Sequence, residues 1–118
     1  MSRTNSLQTE QLTDSAYYIL LALYAPKHGY AIMKYIEELT DGEVKIGPAT
    51  LYTLIKKMQK TNYILLNEDE DERRKTYQLT AKGAQIIAAE IERRLRMARH
   101  GHAALQTAKE EATHEEQR

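Results

Sequence analysis

A proline at the start of a helix leaves the chain few choices, and Lys45–Lys60 (KIGPATLYTLIKKMQK) holds one directly after a glycine. Pro48 suits the first helical position because its fixed φ is already helical and its missing N–H is not needed there, and Gly47 is a tolerable N-cap. Leu51, Leu54, Ile55 and Met58 then recur at i, i+3, i+4 and i+7, which predicts an amphipathic helix with a single apolar stripe. Its other face carries Ala49, Thr50, Thr53, Lys56, Lys57 and Lys60. The stretch has four lysines and no acid, in a chain whose seventeen basic and seventeen acidic residues cancel. Small side chains let a helix N-terminus approach base edges in the major groove, and lysines behind them meet phosphates. The same layout also describes the solvated face of an ordinary core helix. The flanking elements decide between the two.

At 118 residues the chain supports one domain, with room for an appended helix. The absence of cysteine excludes a disulfide framework, thiolate metal sites and cysteine catalysis. No apolar run approaches the roughly 20 residues of a membrane span. The start of the chain (MSRTNSLQTEQ) lacks a signal-peptide core. A soluble, cytoplasmic protein is the expectation. With neither Trp nor Phe, eight tyrosines supply all the aromatic character.

In chain order, residues 1–11 are polar and expected to form a mobile arm. Thr13 and Asp14 then open a helix running to about Ala25, with Ala16, Ile19, Leu20, Leu23 and Tyr24 on its buried side. Pro26-Lys27-His28-Gly29 breaks it. A second helix from about Tyr30 turns Ile32, Ile36 and Leu39 inward and stops near Asp41-Gly42. Val44–Ile46 alternates like a very short strand. The helix from Gly47 to Lys60 is the third, and Asn62 can take the left-handed conformation that usually falls to glycine after a helix. Tyr63–Leu66 and Lys75–Leu79 read as two strands of a hairpin around NEDEDERR. Thr80 caps a last helix bearing Ile87, Ile91, Leu95, Ala98, His102 and Leu105, and the polar residues beyond Leu105 are expected to fray. The fold class is therefore mainly α with a small β-hairpin, a winged helix-turn-helix followed by a C-terminal dimerisation helix. Residues 12–80 make the DNA-binding domain, 81–105 the dimerisation helix and 106–118 the tail.

Four groups of residues are candidates for contact with DNA. Ala49, Thr50, Tyr52 and Thr53 suit base edges, although Tyr52 equally suits packing against the wing. Lys56 and Lys57 suit phosphates. Gly29 and Tyr30 begin the second helix, where free backbone N–H groups and the dipole can hold a phosphate, although Tyr30 equally fills space between helices. Tyr17 and Tyr18 point about 100° apart on a helix. One is expected in the core, and the other (Tyr18 is the candidate) at the DNA backbone or a partner subunit. Arg73, Arg74 and Lys75 begin the returning wing strand, placed for phosphates or the minor groove, against five acids in the same loop. Ile87, Ile91, Leu95, Ala98 and Leu105 form an apolar stripe longer than so small a core needs, and such a stripe marks a two-fold interface. His100 and His102 do not share a helix face, so no metal or other cofactor is expected, and no arrangement for catalysis appears.

Four motifs, LTDSAYYILLAL (12–23), HGYAIMKYIEELT (28–40), KIGPATLYTLIKKM (45–58) and DERRKTYQLTAKG (71–83), together resemble the PadR family of transcriptional regulators. The resemblance implies a winged helix-turn-helix that represses transcription as a homodimer on a palindromic operator, double-stranded DNA and a second copy being its partners. It leaves the effector, if any, unknown. Asn62 departs from the glycine usual there, and the short acidic C-terminal part suggests the short-tailed branch. Relatives that bind flat drugs in a dimer pore use tryptophan, which this chain lacks. The alternative from another class is a winged-helix module that holds an acidic protein partner on its lysine face.

Overall fold

The computed structural model describes residues 11–68 and 75–116. The arm at residues 1–10, the acids of the wing loop after Glu68, and Arg73 and Arg74 lie outside them. Among the described residues four helices and one hairpin follow in order: α1 (Asp14–Ala22), α2 (Gly29–Leu39), α3 (Pro48–Lys60), β1 (Ile64–Glu68), β2 (Lys75–Leu79) and α4 (Ala81–Glu116). The chain divides into two compact units, Met1–Ala88 and Ala89–Arg118.

The first unit is built around Ile19, Leu20, Leu23, Ile32, Ile36, Leu51, Ile55, Ile64 and Ile87, all fully buried. Burying each such side chain contributes roughly 1.5–3 kcal/mol before the entropy of ordering is subtracted. α1 packs on α2, α2 on α3 and β2, and α3 on β1. Thr13 caps α1 by accepting the Ala16 N–H, and Gly47 and Pro48 start α3 as their chemistry suggests. α1 stops at Ala22, a turn short of the expected end; Pro26 has no N–H for the Ala22 carbonyl and disfavours helical geometry at Ala25, and the Lys27 ammonium takes that carbonyl instead at 2.7 Å. That leaves Tyr24 exposed rather than buried, and Leu39 at the last position of α2 is likewise exposed.

Both reading-pair helices end by the same device. Asn62, at φ 64°, follows α3, and the Tyr63 N–H reaches back to the Met58 carbonyl at 2.9 Å. Asp41, at φ 54°, follows α2, and the Gly42 N–H reaches the Glu37 carbonyl at 2.8 Å. These are the paired bonds that satisfy the last carbonyls of a helix. Val44–Ile46 is not a strand. The Val44 N–H goes to the Thr40 hydroxyl at 3.0 Å, which leaves no ladder for it to join, and Ile46 is simply buried.

The hairpin pairs Ile64 with Leu79 through Glu68 with Lys75. Tyr77 on β2 also exchanges two backbone hydrogen bonds with Lys27, at 2.8 and 3.1 Å, so the α1–α2 connection joins the hairpin as a one-residue third strand. The start of α4 docks on the α3–β1 turn. The Thr80 N–H meets the Tyr63 carbonyl at 3.0 Å, the Thr80 hydroxyl meets the Asn62 carbonyl at 2.6 Å, and the Thr80 hydroxyl also accepts the Gly83 N–H.

The second unit is the rest of α4. It does not fray after Leu105 but continues to Glu116, because Ala, Lys, Glu and Gln are strong helix formers and no Gly or Pro interrupts them there. Within it Glu90, only 3% exposed, takes Arg93 on both carboxylate oxygens (2.6 and 2.8 Å) and Arg94 on one (2.9 Å). The Arg93 hydrogen bonds hold the Glu90 carboxyl below its ordinary value against the opposing pull of burial, with Arg94 adding to the effect. A depressed carboxyl pKa stabilises the fold above the unfolded value of about 4.3 and loses that contribution as pH falls through the folded value. Glu90→Gln is therefore expected to cost on the order of 1 kcal/mol at pH 7 and progressively less as pH falls below about 4.3, read from thermal melts of both proteins across that range.

Candidate nucleic-acid interface

The exposed face of α3 is a surface of graded chemistry. Ala49, Thr53, Lys56 and Lys60 fall within roughly 60° of arc, with Thr50 and Lys57 on one flank and Tyr52 on the other. All seven are exposed. None of Lys45, Lys56, Lys57 and Lys60 is ion-paired with another described residue, so their charge is available to a polyanion.

Both flanks are closed by the starts of other helices. Thr13 and Ser15 of α1 line a shallow groove with Ala49, Thr50, Thr53 and Leu54. On the other side Tyr52 lies across Gly29. A Cβ on Gly29 would run into the Tyr52 hydroxyl and stand 2.8 Å from its Cζ, so the glycine is what lets the tyrosine seat there. Tyr52 also stands near Tyr77. Burial first, and then this neighbouring hydroxyl, push the Tyr77 phenol above its ordinary value. Tyr52 is thus both a surface residue, 46% exposed, and a packing link between α2, α3 and the wing.

Tyr30, at 68% exposure, projects from the first turn of α2 and does not fill space between helices. His28 caps that helix, its Nδ1 accepting the Ala31 N–H at 3.4 Å. Tyr17 and Tyr18 do not divide into a core and a surface residue. Both are half-buried and meet edge to face, with centroids 5.5 Å apart. Lys75 is exposed at the start of β2, opposite Glu68.

On α4 the proposed stripe splits. Ile87 is fully buried in the first unit and so serves the chain's own core, which sequence periodicity alone does not reveal. Ile91 is half-buried, and Leu95, Ala98 and Leu105 are exposed. Sequence reasoning also passed over Lys27, Tyr77 and Gly83. Only the position of Gly83 near a helix start carried any signal. Among the described residues no three His, Asp or Glu side chains gather as metal ligands, and no helix is long and apolar enough to cross a membrane.

Two helices at the reading position with a hairpin bonded beside them define a winged helix-turn-helix. The PadR-like family of transcriptional regulators matches over residues 19–89, and the chain belongs to that family. No curated protein matches it. Among solved structures it is similar to a transcriptional regulator from Clostridium thermocellum, at 28% identity over 71% of this chain and 85% of that one, with a TM-score of 0.63. RosR from H. salinarum shares the fold at 21% identity, 90% and 99% coverage and a TM-score of 0.64. So does Bacillus subtilis PadR, solved in complex with operator DNA, at 23% identity and a TM-score of 0.59. The match to PadR covers 66% of this chain and 46% of that protein.

Proposed function

We propose that this regulator is a homodimeric repressor that binds double-stranded DNA at a palindromic operator, with α3 in the major groove. The observation that carries the reading is the α3 face itself, with threonines at its front and unpaired lysines behind, free of acid and flanked by the starts of α1 and α2. Helix starts add backbone N–H donors and a positive dipole end on either side of the groove-facing surface. Bacillus subtilis PadR, of the same fold, was solved with operator DNA, which supports the reading. Tyr30 and Lys75 extend the contact to the backbone on the two sides, and Tyr18 belongs to the same candidate set. The unpartnered part of the α4 stripe supports the dimer, since a two-fold protein matches a two-fold site.

The test is a gel shift with the DNA upstream of the protein's own gene, followed by selection from a randomised site. Thr50→Ala and Thr53→Ala are expected to relax base preference at particular positions, at about 1–3 kcal/mol each, with little change elsewhere in the site. A uniform loss over all sequences would remove the threonines from base reading. Retention of an acidic protein instead of DNA would favour the protein-interaction module.

A further inference from the structure

Lys27 stands two residues ahead of α2, in the run Pro26-Lys27-His28-Gly29-Tyr30. By position alone it reads as one more lysine for phosphate. Its surroundings differ from those of the lysines on and before α3. The Lys27 ammonium donates to the Ala22 carbonyl at the end of α1, at 2.7 Å, and to the Ala25 carbonyl at 3.5 Å. It also lies 4.5 Å from the centroid of the Tyr35 ring on α2. A cation is favoured at the carbonyl end of a helix, and the face of an aromatic ring attracts it as well. An ammonium has three N–H donors, and two carbonyls and a ring are at hand for them. Lys27 is half-buried, whereas Lys45, Lys56, Lys57 and Lys60 are exposed.

We propose that Lys27 is a positioning residue for DNA binding, one that holds the start of α2 in place and makes no phosphate contact of its own. The proposal rests on the DNA-binding reading above and gives this lysine the opposite role to its exposed counterparts. One residue joins three elements. Its ammonium ties the end of α1 to the Tyr35 face of α2, and its backbone N–H and carbonyl exchange bonds with Tyr77 on β2 at 3.1 and 2.8 Å. Directly after it His28 caps α2, Gly29 receives the Tyr52 ring, and Tyr30 projects with its backbone N–H unpartnered among the described residues. Reaching a phosphate would take the ammonium from the Ala22 carbonyl, which Pro26 has no N–H to satisfy. Losing the ammonium instead loosens the turn that fixes Tyr30 against α3.

The experiment is a salt titration of binding to the DNA fragment upstream of the protein's own gene, with the full chain, Lys27→Met, Tyr30→Phe and the double variant. Active fractions come from stoichiometric titration, so each affinity refers to folded protein. Lys27→Met is expected to bind about tenfold more weakly, with the same slope of log affinity against log salt as the parent, whereas a lost phosphate contact lowers that slope by about 0.9. Tyr30→Phe is expected to lose about tenfold through its hydroxyl. The double variant should also fall only about tenfold, because a displaced Tyr30 has no contact left to lose, while independent sites would multiply to about a hundredfold. Should Lys27→Met fail to fold, Lys27→Gln keeps an N–H donor without the charge and gives the same slope reading. A slope lowered by about 0.9 overturns the proposal, since Lys27 then meets phosphate itself. Multiplying losses, an unchanged affinity for Lys27→Met, or a Tyr30→Phe without effect overturn it as well. A parent chain that binds neither this fragment nor any selected DNA removes the DNA reading beneath it, so the two failures are told apart.

Discussion

Gly83→Ala is expected to destabilise the protein by at least about 3 kcal/mol, an effect at or above the upper end for overpacked sites. A Cβ at residue 83 would collide with the Tyr63 carbonyl oxygen and stand 2.8 Å from its carbonyl carbon and 3.2 Å from its Cα. Backbone cannot rotate away as a side-chain tip can. The only relief is to lift the start of α4 off the α3–β1 turn. That movement strains the Thr80 bonds to Asn62 and Tyr63 and the 3.1 Å bond from the Lys82 ammonium to the Thr61 carbonyl. It also draws on Ile87, one turn further along and fully buried. At roughly 4 °C per kcal/mol for a chain of this size, the melting temperature should fall by more than ~10 °C. A loss under ~2 °C in a calorimeter would mean that α4 does not approach Tyr63 so closely. Gly29→Ala is a useful contrast, since there the obstacle is the mobile end of Tyr52, and its main effect should be to turn that ring.

Replacing Lys56 and Lys57 together with alanine should give the largest loss of DNA affinity of any change that leaves the fold intact. Both are exposed, without an acidic partner among the described residues, and lie where α3 meets a backbone if its front enters the groove. A lysine on phosphate contributes through counterion release, and each lost contact lowers the salt slope of binding by about 0.9. The double variant is expected to flatten that slope by about two units and to weaken binding on the order of a hundredfold, equally for operator and unrelated DNA. Its melt should be unchanged, because neither side chain is buried. A loss confined to the operator would make the lysines base readers instead.

The legible parts of the fold were those written in neighbouring residues. Gly47-Pro48 and the Leu51–Met58 stripe mark α3 because capping and burial act over one or two turns. Asn62 takes its left-handed conformation for the same local reason. What escaped depends on contacts between distant segments. Tyr24 and Leu39 continue an apolar period, yet Tyr24 falls beyond the end of α1 and Leu39 at the last position of α2, and both are exposed. Val44–Ile46 has the alternation of a strand, but alternation is silent about whether Thr40 has already taken the backbone donor. Ile87 and Ile91 look alike in a periodic stripe, and only the turn against which α4 docks separates core from surface. For the candidate site the residue types and their face were readable. The seating of Tyr52 on Gly29 was not, because no spacing in the chain connects residues 29 and 52.

The bond pair between Lys27 and Tyr77 has a mechanical consequence. The hairpin cannot hinge about its attachment to β1 and α4 alone, because its second strand is also tied to the segment that launches α2. That tie restrains the described part of the hairpin against the reading pair. Under the proposed reading, two DNA sites that differ only in the spacing between a wing contact and an α3 contact are expected to be told apart by the cost of bending the duplex.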